Sequence, residues 1–205
     1  MFAAIKMERA GKKVFEYTYG EYPVDDPVFG ISMILVSLLP LIAPVVVLTI
    51  AIHQKSKHHF LFLMGLIVSH LLAKFLKKVW KQPRPAGAFL TNYGMPSDHS
   101  MFMFFITSYV TWSLARNPLL KSSSFVVTLL SMIVTSTVVG YSRLYLGVHT
   151  LEQVVVGGLL GVVVGSVWFW ASDKLFLRSK LISKAFDSFH SCLQSTFYST
   201  RGYKK

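Results

Sequence analysis

From Gly30 to Ile52 the chain carries no charged side chain, and a helix of about 20 apolar residues is what crosses the hydrocarbon of a bilayer. Few other folds are open to such a run, because every backbone N–H and C=O in lipid must be paired internally. Pro40 and Pro44 lie inside it and should bend it, since each removes a donor and crowds the carbonyl four residues back. Four further stretches repeat the pattern: about Phe60 to Trp80, Ser100 to Ala115, Phe125 to Tyr141 and Val154 to Ala171. The expected fold is all-α, a polytopic membrane helical bundle of about five transmembrane helices.

Composition agrees: 53% of the 205 residues are hydrophobic and only 15% charged, an imbalance that a soluble domain of this size would struggle to hide from water. The expected organisation is a polar N-terminal segment over residues 1–29, a transmembrane domain over residues 30–171 and a basic tail over residues 172–205. Met1 to Pro27 lacks the apolar core of a signal peptide, so the first span is expected to act as the insertion signal. Cys192 is the only cysteine, which excludes an intramolecular disulfide framework and a cysteine-based metal cluster. The net charge of +12 raises the question of nucleic acid. The basic residues lie between apolar stretches and in the tail, however, so the expected partner is the anionic surface of a lipid bilayer, with no nucleic acid.

Five spans place residues 1–29, 81–99 and 141–153 on one face and residues 53–59, 116–124 and the tail on the other. The second face carries Lys55, Lys57, Arg116, Lys121, Lys174, Arg178, Lys180 and Lys184, and the positive-inside rule makes it cytoplasmic. Lys6, Arg9, Lys12 and Lys13 run against this assignment, partly offset by Glu8 and Glu16. Ser122 to Ser124 reads as a plain loop. In the last span Gly157, Gly161 and Gly165 recur every four residues, a stripe that lets a neighbouring helix approach closely.

Three segments assigned to the first face carry groups suited to a phosphate ester. In Lys77-Lys78-Val79-Trp80-Lys81-Gln82-Pro83-Arg84-Pro85 the prolines end the helix and hold Arg84 in a turn. Its guanidinium can grip phosphate oxygens as a fork while Lys77 or Lys78 adds a point charge. In Gly94-Met95-Pro96-Ser97-Asp98-His99-Ser100, Ser97 offers a hydroxyl, the helix start offers backbone amides, and His99 suits proton transfer near neutral pH. A carboxylate beside phosphate is repelled unless paired or turned away, so the backbone amide of Asp98, rather than its side chain, is expected to face the substrate. In the segment Ser142 to Gln153, Arg143 is a second guanidinium and His149 a nitrogen nucleophile. Gln153 follows one helical turn later, where its carbonyl can hold the imidazole tautomer.

Lys77-x6-Arg84-Pro85, Pro96-Ser97-x-His99 and Ser142-Arg143-x5-His149 together resemble the three-part signature of the type 2 phosphatidic acid phosphatase superfamily, over roughly the middle third of the chain. The resemblance implies the phosphatase and haloperoxidase-like helical bundle. It makes His149 the nucleophile, His99 the general acid, and Lys77, Arg84, Ser97, Asp98 and Arg143 the phosphate-binding set. Two positions depart from the usual pattern: Gln153 stands where most members have Asp, and Asp98 where most have Gly. His149-Thr150-x-x-Gln153, Tyr93-Gly94-Met95-Pro96-Ser97 and Glu21-Tyr22-Pro23 are similar to the dolichyldiphosphatase branch. That branch implies hydrolysis of a polyprenyl (dolichyl) diphosphate through a phosphohistidine, with no metal and no cofactor. It also implies an endoplasmic reticulum membrane, a site facing the lumen, and recycling of the carrier for protein N-glycosylation. Other isoprenoid diphosphates, phosphatidic acid, or lipid binding without catalysis are the alternatives; chain length and oligomeric state are left open.

Overall fold

A computed structural model describes residues 5–9, 12–15, 20–23, 26–54, 56–88, 90–116 and 122–172, with 174, 179–181, 183–188 and 191 of the tail. Lys55, Lys121, Arg178 and Cys192 lie outside the described residues. Three short strands, β1 (Ile5–Arg9), β2 (Lys12–Phe15) and β3 (Gly20–Pro23), come first. They pair in sequence order as an antiparallel meander. Six helices follow: α1 (Pro27–Ser37), α2 (Leu39–Gln54), α3 (Lys57–Trp80), α4 (Asp98–Ala115), α5 (Ser122–Tyr145) and α6 (Leu151–Ala171). The body is the expected helical bundle; the small sheet is an addition within a segment read only as polar.

Asp26 starts α1 by accepting the Phe29 amide at 3.2 Å, with Pro27 in the first turn, where its missing N–H costs nothing. The first span is interrupted at Leu38, between α1 and α2. Pro40 cannot donate to the carbonyl four residues before it, and the chain restarts with the Leu41 and Ile42 amides both on the Leu38 carbonyl. Among the described residues, four segments are long and apolar enough to cross a membrane: Pro27–Gln54, Lys57–Trp80, Ser122–Tyr145 and Leu151–Ala171. The expected span around Ser100 to Ala115 is α4, which at 18 residues is shorter than these four. Its hydroxyls are paired inside the bundle, Thr107 with Ser136 at 2.8 Å and Ser108 with Ser166 at 2.7 Å, so they need no water. Ser122 to Ser124, expected as a loop, instead form the first turn of α5, since serine tolerates a helix start better than an interior. Helix α5 also runs past Tyr141 and takes Arg143 into its last turn.

Helix α6 packs along α4 with the glycine stripe facing it. A Cβ on Gly157 would lie 2.7 Å from the Ser97 carbonyl oxygen, one on Gly165 2.6 Å from that of Phe105, and one on Gly161 would strike that of Met101. Around this contact Phe62, Phe105 and Tyr109 stack, with Phe169 edge-on to Tyr109. At one end of the bundle the tail docks on the start of α3, through Lys57 to Ser183 and Phe60 against Phe186. The other end of α3 lies roughly 35 Å away, from its 24 residues at about 1.5 Å each. There the connections α3–α4 and α5–α6 meet. Gly161→Val is expected to destabilise the protein by about 1–3 kcal/mol through overpacking, seen as a lower unfolding midpoint in detergent; an unchanged midpoint would mean that α4 and α6 can separate freely.

Candidate active site

Helix α3 ends at Trp80, where Lys81 takes a left-handed conformation with φ of 50° and caps the Lys77 carbonyl. The following turn brings Arg84 across to the α5–α6 connection. Its Nε donates to Asn92 Oδ1 at 2.8 Å and its Nη1 to the Val148 carbonyl at 2.6 Å; Nη1 also lies 3.1 Å from His149 Nε2. On the other side, the Arg143 carbonyl accepts the amides of Val148 and His149, and Gly147 turns the chain at a φ of 65°. His149 is thus fixed at both its backbone and its ring, and is only 4% exposed.

The remaining ring nitrogen decides the chemistry. His149 Nδ1 lies 3.0 Å from Gln153 Oε1, and the Gln153 amide cannot be turned round. Its Nε2 donates to the Pro83 carbonyl at 2.8 Å and to Gln82 Oε1 at 3.1 Å. Oε1 can only accept, so this network assigns the proton to Nδ1 and leaves a lone pair on Nε2. Gln153 also completes the capping box that starts α6, its Oε1 accepting the Thr150 amide and its own amide donating to Thr150 Oγ1. Gly94 is required beside it, because a Cβ there would collide with the Gln153 side chain.

Of the two adjacent lysines, Lys77 is buried and Lys78 exposed; Lys77 Nζ pairs with Asp98 Oδ2 at 2.8 Å. Of the two ways foreseen for Asp98 to avoid repelling a phosphate, pairing or turning away, the structure shows pairing, with Lys77. Asp98 Oδ1 is buried without a hydrogen-bond partner. Ser97 is fully buried, with its hydroxyl accepting from Ser100 Oγ at 3.3 Å and its amide donating to the Gln153 carbonyl. That amide is therefore taken. The amides available to an anion belong to residues 98–100, which precede the first intrahelical bond, Met101 to Ser97.

The His99 ring lies near the Ser37 backbone at the end of α1, and its Nε2 is buried without a partner. The same three cations, Lys77, Arg84 and Arg143, act electrostatically on both imidazoles. All eight residues singled out by sequence thus gather at one end of the bundle. Burial first, then Arg84, Lys77 and Arg143, hold the His149 imidazole well below its ordinary value of 6.5, against the opposing bond to Gln153. Sequence reasoning did not reach Gln82, Gly94 and Asn92 as supports, although Gln82 and Asn92 stand beside motif residues. An apolar cavity of about 360 Å³, lined by Pro40, Leu41 and Pro44 of α2, Leu63, Ile67 and His70 of α3, and residues of α4, reaches Asp98 and His99.

Cations and imidazoles clustered at one end of a bundle whose long helices suit a bilayer define a membrane-embedded lipid phosphatase. The chain belongs to the PAP2 superfamily, which it matches over residues 58–177. It is 35% identical over 169 residues to dolichyldiphosphatase 1 of Mus musculus, covering 77% of this chain and 71% of that one. To dolichyldiphosphatase 1 of Dictyostelium discoideum it is 30% identical over 166 residues, 78% and 72% of the two chains. The fold is shared with the PAP2-type phosphatidylglycerolphosphate phosphatase of Bacillus subtilis, with a TM-score of 0.63 at 23% identity over 73% of this chain and 79% of that one.

Two outcomes follow from this geometry. Gln153→Ala frees the His149 ring and should lower kcat about 10- to 100-fold, the usual cost of losing a histidine's orienting partner. Because the His149 value is lowered, its neutral form persists below pH 6.5 and is lost only on further acidification. Arg84→Gln removes a neighbouring positive charge and should move the acid limb of kcat/KM upward, toward 6.5. Comparison of both profiles on one substrate cancels the substrate's own titration; a limb that stays put would remove Arg84 as a cause.

Proposed function

We propose that the protein hydrolyses dolichyl diphosphate to dolichyl phosphate and inorganic phosphate through a phosphohistidine on His149. The observation that carries this reading is the His149 Nε2 lone pair, aimed at the Arg84 guanidinium by a tautomer that Gln153 dictates. A phosphate that displaces the nitrogen's contact with Arg84 arrives already clamped against the nucleophile. Nε2 attacks the terminal phosphorus, the bond to the bridging oxygen breaks, and the departing lipid monophosphate takes a proton from His99. An anionic substrate beside His99 favours the imidazolium needed for this step. Water then attacks the phosphohistidine, His99 takes its proton, and inorganic phosphate leaves with the Nε2 lone pair restored. Lys77, Arg84 and Arg143 supply the charge stabilisation that phosphoryl transfer demands, so no metal or other cofactor is invoked.

A lipid substrate is supported by the apolar cavity that meets Asp98 and His99 from between α2, α3 and α4, and the dolichyl chain by the names of the relatives. In this reading the protein sits in the endoplasmic reticulum membrane with the site toward the lumen, recycling the carrier for protein N-glycosylation. The basic side chains Lys57, Arg116 and Lys174 at the far ends of α3, α4 and α6 support that orientation.

The test uses detergent-purified protein and a substrate panel from dolichyl diphosphate through shorter isoprenoid diphosphates to phosphatidic acid, with excess chelator throughout. Dolichyl diphosphate should turn over best and tolerate the chelator, and His149→Ala should abolish both turnover and trapping of phosphate on the protein. Activity that survives in His149→Ala removes the covalent step, and complete loss in chelator removes the metal-free scheme.

A further inference from the structure

The residues matched to the superfamily begin at 58, yet the segment before them supports both histidines. Tyr22 of β3 is 3% exposed and forms one apolar cluster with Met33 and Ile34 of α1 and with Leu146 and Val148, the two residues that lead into His149. Leu146 and Val148 are each 1% exposed, so the connection that carries the nucleophile has its apolar side chains sealed by this cluster. Phe29 adds an edge-on contact to Tyr145, with ring centroids 4.9 Å apart. The fit between β3 and α1 is close enough to demand a glycine: a Cβ on Gly30 would lie 2.7 Å from Tyr22 Cβ. Further along the same helix, Ser37 is fully buried and its backbone lies near the His99 ring.

We propose that β3 and α1 form a clamp on the α5–α6 connection and that Tyr22 is a positioning residue for His149, a role that rests on His149 being the nucleophile. The mechanical chain is short. Tyr22 packs in the cluster with Val148, the Val148 carbonyl takes the Arg84 Nη1 bond at 2.6 Å, and the same Nη1 lies 3.1 Å from His149 Nε2. A connection free to shift by an ångström would misplace nitrogen and guanidinium together, a displacement that typically costs about 100-fold in rate. Tyr22, which no part of the phosphate chemistry uses, gains a function by this route.

Tyr22→Ala and Tyr22→Phe test the clamp in the full-length purified protein. Tyr22→Ala should lower kcat about 10- to 100-fold and change KM by much less, because Lys77, Arg143 and the apolar cavity are untouched. Tyr22→Phe, which keeps the ring, should restore kcat. A readout independent of turnover is solvent exchange of the His149 Nδ1 proton in protein labelled with nitrogen-15 histidine. Exchange should quicken in Tyr22→Ala and not in Tyr22→Phe, so the clamp is tested even if the diphosphate reaction itself proves wrong. Phe186→Ala, at the far end of the bundle against Phe60, serves as a destabilised control and should retain kcat. Wild-type kcat and exchange in Tyr22→Ala, or a fall in kcat in Phe186→Ala that matches its loss of thermal stability, would overturn the proposal.

Discussion

Three cationic side chains around an uncharged imidazole form the constraint on which the rest of the site depends. Lys77, Arg84 and Arg143 repel one another, and two of them, Lys77 and Arg143, are at least nine-tenths hidden from solvent. Such a cluster is unfavourable unless something rigid holds it or an anion fills it. Asp98 supplies part of the countercharge through its contact with Lys77, and the helices supply the rigidity. The α4–α6 contact, closed by glycines, sets where Ser97, Asp98 and His99 stand relative to Gln153. Burial and the same three cations hold the His149 imidazole well below its ordinary value and so keep it neutral.

Gln153 ties this electrostatic arrangement to the backbone. One side chain closes the capping box of α6, orients the His149 ring and fastens the turn at Gln82 and Pro83 that presents Arg84. An aspartate at this position would offer acceptors only and no N–H for the Pro83 carbonyl. The glutamine accordingly links two of the three motifs directly, and its backbone carbonyl links the third through the Ser97 amide. Positioning and protonation state are in this way consequences of one amide group.

Much of the architecture was legible because membrane helices must pair their backbone internally and expose apolar side chains, so the long uncharged runs announce them. The glycine stripe, the helix break at Leu38 before Pro40 and the stop after Trp80 follow from equally local rules. Places where local and tertiary demands diverge were less legible. Ser122 to Ser124 looks like a loop by composition, but the helix uses these residues as its first turn. Asp98 looked misplaced beside phosphate because its partner lies on another helix. The three-stranded sheet hides in a short charged segment whose alternation of apolar and charged residues at Ile5 to Arg9 is a faint signal.

The sequence by itself determined the class of fold and singled out the cationic and imidazole side chains that the structure gathers at one end of the bundle. Each of these depends on residue type and on spacing along one chain segment. Only the tertiary structure decided that Lys77 rather than Lys78 enters the site, that Asp98 pairs instead of turning away, that Gln153 fixes the His149 tautomer, and that Tyr22 reaches the connection behind it. These are matters of helix rotation and of contacts between segments distant in the chain, which no local pattern encodes because the partner is chosen by packing in three dimensions.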